Sequence, residues 1–309
     1  MEAFVTDELI FMTIAGSHMY GMATEESDID KRGVCVPPKN VVMGFARVFN
    51  QQEFPNEDTT VFSLMKFMAL ACDNNPNIIE LLFAPEDCIQ TIHPTWERLL
   101  ARRDEFLSAK CFHTFTGYAF SQLKRIKGHR EWLVDPPTHK PTRAEFGLAE
   151  AGTGVRELAK GIDASKISPE VIQEIERERK FKGALTRWSQ YEHWKKTRNP
   201  KRAALEAEYG FDTKHASHLI RLLRMGKEIL TEGTFHVRRP DAEDILSIRR
   251  GSRTYDQLIE EAEGLQALLE KVYTEKTYVV PHHPDKTALS DFAVELHEYH
   301  WTYHAKGDK

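Results

Sequence analysis

Up to residue 93 the chain alternates short β-like runs with turn signals, and from residue 94 onward it carries almost only the helical period. That order of elements calls for an α/β (α+β) N-terminal domain over residues 1–93 and a mostly helical C-terminal domain over residues 94–309. The runs Ile10 to Ala15, Gly33 to Val36 ahead of Pro37-Pro38, and Arg47 to Glu53 ahead of Pro55 predict strands. Val61, Leu64, Met65, Met68, Ala69 and Cys72 recur at helical spacing up to Asn74-Asn75-Pro76, which predicts one helix with Met65 and Met68 as core filler. A second helix is expected over IIELLF, capped by Asn77. Further helices are expected near 94–106, 109–127, 168–196, 213–232, 241–249, 254–273 and 288–304.

At 309 residues with 41% hydrophobic content, the chain has material for two packed domains. Its formal charge of −5 opposes polyanion binding over the whole surface and confines any nucleic-acid site to a local basic patch. Cys35, Cys72, Cys88 and Cys111 offer no CxxC pair and no zinc spacing, so reduced thiols are expected. The opening MEAFVTDELIFMTIAGS carries acids where a secretory signal needs cations, and no apolar run approaches a membrane span; a soluble cytoplasmic protein is expected. Residues 131–164, rich in proline, glycine and polar residues, read as one long connection of the kind that often serves function.

One constellation carries chemistry. Gly16-Ser17 follows a predicted strand directly; after ten residues comes Asp28-Ile29-Asp30, leading into another. Backbone N–H groups of a tight turn at Gly16-Ser17, with the Ser17 hydroxyl, would converge on phosphate oxygens. Two carboxylates two residues apart on a strand face the same way, with Cα atoms about 6.7 Å apart, and suit hard divalent cations. Two Mg2+ ions roughly 4 Å apart would bridge the attacking and leaving oxygens of a phosphoryl transfer. Asp58, after a third candidate strand, supplies another carboxylate, and Glu57 or Glu53 would replace it under a different strand register.

GSHMYGMATEESDIDKRGVCV resembles the signature of the DNA polymerase β superfamily of nucleotidyltransferases: a hydrophobic residue, G, G or S, a gap of 9 to 13 residues, then DxD or DxE. SDIDKRGV, EDTTVFSLMKF, NPNIIELLFAP, KHASHLIRLLRMGKEILTEG and RRPDAEDILSIRRG resemble, more narrowly, the bacterial and phage nucleotidyltransferases that include the RNA-ligase-associated group. These blocks span roughly residues 12–270. The resemblance implies that Gly16 and Ser17 bind the β- and γ-phosphates of an NTP, that Asp28 and Asp30 hold two Mg2+ (or Mn2+) ions, and that Asp58 completes the set. It implies NMP transfer to a hydroxyl with release of pyrophosphate, an RNA or tRNA end being the favoured acceptor. A protein hydroxyl, a small molecule such as an aminoglycoside, or another nucleotide are the other acceptors. Lys31 departs from the superfamily pattern, which prefers a hydrophobic residue after the second aspartate; Arg32-Gly33-Val34 resumes the narrower form.

Two basic groups are candidates for the nucleotide. Ser121, Lys124 and Arg125 lie on neighbouring turns of one predicted helix, with Lys127, His129, Arg130, Lys140 and Arg143 beyond; the plainer reading is a solvated helix end. Lys214, His218 and Arg221 lie at steps of four and three opposite the apolar face of Ala216, Leu219, Ile220, Leu222 and Leu223, either toward a cleft or toward solvent, and Arg224 shares that fate. His297, His300 and His304, beside His282-His283, have zinc-compatible spacing, but Trp301 and Tyr303 favour packing. Two other classes are a binding module that kept the fold without catalysis and a two-metal phosphohydrolase; the second needs no Gly-Ser cradle.

Overall fold

A computed structural model describes residues 4–25, 27–46, 48–149 and 169–307. Five strands form one sheet in the order β3-β4-β2-β1-β5: β1 is Leu9–Ile14, β2 Lys31–Cys35, β3 Gln51–Phe54, β4 Thr59–Ser63 and β5 Ile89–Ile92. β2 and β4 run parallel, with Lys31 opposite Thr59, and the other pairs are antiparallel.

The helix expected from Val61 starts later, at Leu64. Thr59, Thr60, Val61 and Phe62 are β-branched or aromatic and take the pleated strand instead. Ser63 closes that strand and caps the helix Leu64–Cys72 by accepting from the Lys66 N–H at 3.3 Å. Met68 is buried in that helix as expected, whereas Met65 is 46% exposed and fills no core. Asn75, not Asn77, caps the short helix Pro76–Ile79, and a 3-10 turn, Glu80–Phe83, takes the rest of IIELLF.

Asn74 fixes the junction between these helices. Its backbone is left-handed (φ 52°), its amide donates to the Phe106 carbonyl at 2.7 Å, and its Oδ1 accepts from the N–H and hydroxyl of Ser108, both at 3.1 Å. One sheet face packs on the helices: Phe11 of β1 stacks on Trp96 of the helix Pro94–Leu100 with centroids 4.1 Å apart, and Phe67 meets the same indole at 5.1 Å.

The chain divides into two compact units, one of Met1–Arg125 with Thr213–Lys309 and one of Ile126–Asp212. These divisions fall at 125/126 and 212/213 rather than at 93/94. The first unit carries the sheet together with the helices Thr213–Glu232, Ala242–Arg249, Tyr255–Thr274 and Lys286–Gly307. The second holds the end of the helix Cys111–Val134, the helix Pro169–Thr197 and the helix Pro200–Tyr209. Residues 131–134, expected in a long connection, are thus helical, and residues 150–164 of that expectation lie outside the described residues, as does the side chain of His304.

Candidate active site

β1 ends in a turn whose first step favours glycine. The Ala15 N–H donates to the Asp30 carbonyl at 2.8 Å, carrying the β1–β2 pairing one step past β2. Gly16 then turns left-handed (φ 66°), and a Cβ there would stand 3.0 Å from Oδ2 of Asp30. The carbonyls of Gly16, Ser17 and His18 accept from the N–H groups of Tyr20, Met22 and Gly21. Among the described residues no backbone carbonyl accepts from the N–H groups of Gly16, Ser17, His18 or Met19. A row of such donors beside a turn is the arrangement that holds anions.

Asp28 is exposed and Asp30 half-buried. Asp58 is exposed and left-handed (φ 45°, ψ 37°), ending the 3-10 turn Pro55–Glu57. Its carbonyl accepts from the Lys31 N–H at 3.0 Å. One step back along the parallel register from Lys31–Thr59 sets Asp30 opposite Asp58, so both residues lie at one end of the sheet, where β1 delivers Gly16. Arg32 straddles the two: its Nη2 lies 3.9 Å from Oδ1 of Asp30, and its Nη1 donates to the Asp58 carbonyl at 3.1 Å. Glu53 pairs with Thr60 farther along β4 and accepts from the Gln51 amide at 2.8 Å, while Glu57 is exposed in the 3-10 turn.

Among the described residues no three His, Cys, Asp or Glu side chains form a group that could share a metal ion. Asp28 and Asp30 precede β2 rather than lying in it, so the strand-face pairing expected of them is not formed; two carboxylates remain the kind of ligand set with which Mg2+ is held when substrate phosphates and water complete its shell.

The turn is braced by residues that sequence reasoning passed over or assigned elsewhere. Tyr20 donates to Oε2 of Glu80 at 2.7 Å, and the Arg221 guanidinium lies 3.7 Å from the Tyr20 ring centroid. Arg221 is 3% exposed, with its Nη1 3.7 Å from Glu80 Oε2, so it lies on neither an open stripe nor a solvent face. Arg238 donates to the His18 carbonyl at 3.0 Å while paired with Asp87, and the Arg239 N–H donates to the Tyr20 carbonyl at 3.1 Å. Arg239 itself is buried between Glu228 (2.6 Å) and Asp241 (2.8 Å). The sequence blocks around KHASHLIRLLRMG and RRPD therefore hold the turn in place from behind.

The remaining candidates lie apart. Ser121, Lys124 and Arg125 are exposed on the helix Cys111–Val134, and no hydrogen bond or ion pair among the described residues ties them to the Gly16 turn. Lys214 is exposed and His218 half-buried near the start of Thr213–Glu232. Arg224 sits within ion-pair distance of Asp241, Asp244 and Glu261. His300 is buried between Thr95 (3.2 Å) and Glu8 (2.8 Å), and the buried His297 has its Nδ1 2.7 Å from the Ala293 carbonyl.

Residues 1–135 match the family model RlaP, described as the RNA repair pathway DNA polymerase beta family. Over these residues the chain is similar to that family. An uncharacterized 38.9 kDa protein from the nrdC-mobD intergenic region of Enterobacteria phage T4 is 26% identical over 129 residues. That similarity spans 37% of this chain and 38% of the phage protein.

The RlaP match takes in the sheet, the Gly16 turn, Asp28, Asp30 and Asp58, and the helix bearing Ser121, Lys124 and Arg125. It stops before Lys214, His218 and Arg221. Among the described residues no helix is long and apolar enough to cross a membrane.

Proposed function

We propose that this chain is a metal-dependent nucleotidyltransferase that moves an NMP from an NTP to a hydroxyl at an RNA or tRNA end and releases pyrophosphate. The observation that carries this reading is the Gly16 turn: a row of backbone donors opens beside the Asp30 carboxylate at the sheet end that also holds Asp58. The RlaP match over residues 1–135 agrees with a nucleotidyltransferase in RNA repair.

In this reading Gly16 and Ser17 hold the β- and γ-phosphates through backbone N–H groups and the Ser17 hydroxyl. Asp28 and Asp30 would hold the divalent ions, with Asp58 completing the set as substrate binds. Those ions would supply charge neutralisation at the transferring phosphate. Asp58 would also help take the proton from the acceptor hydroxyl, whose oxygen forms a bond to the α-phosphorus as the bond to the β-phosphate oxygen breaks. Lys124 and Arg125, or Lys214 with His218, would meet the departing pyrophosphate; Arg221, buried against Tyr20, positions the turn. Catalysis is then positioning plus electrostatics.

Label transfer from each α-labelled NTP, with Mg2+ or Mn2+ and with RNA ends, DNA ends, small hydroxyl compounds or the protein itself as acceptor, tests the proposal. Labelling that Asp28→Ala and Asp30→Ala each abolish, in folded protein, is the expected result. Undiminished labelling in either variant would overturn the metal assignment. Absence of labelling together with absence of Mg2+-NTP binding would favour the non-catalytic module.

A further inference from the structure

The chain as a whole is acidic, yet residues 177–202 contain ten lysines and arginines against two glutamates. This stretch covers most of the helix Pro169–Thr197 and enters Pro200–Tyr209, in the compact unit 126–212. Four of the unit's carboxylates are paired with arginines: Glu178 with Arg143 (2.6 Å), Glu131 with Arg187 (2.6 Å), Glu206 with Arg198 (2.7 Å) and Asp212 with Arg202 (3.1 Å).

Three of the cations outside these pairs, Arg179, Lys182 and Lys196, lie on one side of the helix. Arg179, Lys182, Thr186, Ser189, His193 and Lys196 follow one another at steps of three and four, so they share a face, and all six are exposed. Glu178 and Glu192 border the row, each four residues before one of its lysines, the first paired with Arg143; among the described residues Arg179, Lys182 and Lys196 have no ion-pair partner. At 1.5 Å per residue the row extends over about 26 Å. The opposite side is anchored: Phe181 and Tyr191 are buried, and Trp194 packs on Trp132 with centroids 5.3 Å apart. A fixed row of cations, hydroxyls and an imidazole with no acid among them matches the phosphates and sugar hydroxyls of a polynucleotide strand.

We infer that the face of Arg179, Lys182, Thr186, Ser189, His193 and Lys196 is a docking surface for the backbone of an RNA strand. The inference rests on the RNA part of the proposed function and gives it a place on the chain: strand affinity would reside in the 126–212 unit, outside the family match. Contacts to phosphate and sugar fix where a strand lies without reading its sequence, so binding through this face should be indifferent to base order.

The test uses the full chain, a fluorescent single-stranded RNA of mixed sequence and a duplex DNA of similar length, with binding followed by anisotropy across a salt series. Replacing Arg179, Lys182 and Lys196 together by Gln should weaken RNA binding at least about tenfold and reduce the salt slope by about 2, at roughly 0.7 per lost phosphate contact on a single strand. Circular dichroism of the variant should match the wild type, since all three side chains are exposed; if the triple variant melts early, Lys182→Gln with Lys196→Gln replaces it, with a slope reduction of about 1 or more expected. Lys271→Gln with Lys276→Gln, exposed on the other unit, should leave the slope unchanged. An unchanged slope in the row variants, a failure of the wild-type chain to bind the RNA, or a row-dependence seen for duplex DNA and not for RNA would each overturn the inference. Asp28→Ala with Asp30→Ala should bind RNA as wild type does. Row-dependent RNA binding without nucleotide transfer would therefore sink the proposed activity alone, and transfer to RNA unaffected by the row variants would sink this inference alone.

Discussion

The Tyr20 hydroxyl donates to Oε2 of Glu80 at 2.7 Å, joining the end of the Gly16 turn to a 3-10 turn 60 residues away in sequence. Both groups are buried with Arg221, and burial dominates their chemistry: it pushes the Tyr20 phenol far above its ordinary value and raises Glu80, while the Arg221 guanidinium opposes both shifts. Tyr20→Phe removes the donor and keeps the ring under Arg221. The expected loss is about 1–3 kcal/mol of stability, read from denaturant midpoints. Because the turn itself is loosened, Mg2+-NTP affinity should fall as well.

Arg221 separates two roles more sharply. As a phosphate ligand it could be replaced by Gln with a loss of turnover and little change in folding. Buried beside Glu80, its loss leaves a carboxylate without its cation, and about 3–5 kcal/mol of destabilisation is expected for Arg221→Gln. A melting temperature unchanged by this substitution would return Arg221 to the nucleotide.

Gly16→Ala meets two penalties at once. A left-handed backbone at a residue with a Cβ costs about 1–2 kcal/mol, and that Cβ would press on Oδ2 of Asp30. The expected outcome is a small loss of stability with a disproportionate loss of divalent-ion affinity, measured by calorimetric titration of the ion with and without NTP. Equal ion binding in the variant would show that the Asp30 carboxylate does not need the space a glycine leaves.

These residues also mark how far the sequence could be read. The turn at Gly16-Ser17 and the strand that begins just after Asp30 are legible because a strand end followed by a tight turn has a local signature, and so are most helices by their period. Val61 was misplaced in a helix because Val61, Leu64, Met65 and Met68 fit a 3.6-residue repeat as well as they fit a strand running into a capped helix at Ser63. Arg221 was misread for a different reason. Polar spacing on a helix predicts an open stripe only if one side meets solvent, and most of Thr213–Glu232 is buried. Its partner Glu80 lies far off in the chain, where no periodicity could announce it. The unit boundary at 212/213 was invisible because helical residues stand on both sides of it.

Arg224 ties Asp241 (2.7 Å), Asp244 (2.7 Å) and Glu261 (2.6 Å) together on the helices behind the turn. Burial pushes Asp241 and Asp244 upward, but hydrogen bonds from Arg239 and Arg224 to the first, and from Arg253 and Arg224 to the second, outweigh it and hold both carboxyls below their ordinary values. A carboxyl lowered in the folded state contributes stability that is present above its unfolded value, about 3.9, and is lost as pH falls through the lowered folded value. Arg224→Met should cost about 1–3 kcal/mol at neutral pH and flatten the acid-side decline of stability. Parallel acid unfolding curves for the two proteins would deny Arg224 its share in that decline.

The four thiols give a measurement of packing that is independent of catalysis. Burial first, and the Glu8 carboxylate second, push Cys35 up to about 12. Burial raises Cys111 as well, against a weaker opposing backbone hydrogen bond, and it raises Cys72 and Cys88, each flanked by both an aspartate and a cation. Only a thiolate attacks a disulfide reagent, and at pH 8 a thiol with a value near 12 is ionised in about one molecule in ten thousand. Native protein should therefore react slowly, with Cys72 and Cys88, which retain slight exposure, ahead of Cys35 and Cys111, which have none. Peptide mapping after a short exposure to reagent reads that order directly, and denaturant should release all four at once. Early labelling of Cys35 would mean that β2 opens to solvent, and with it the strand that carries Asp30 at its head.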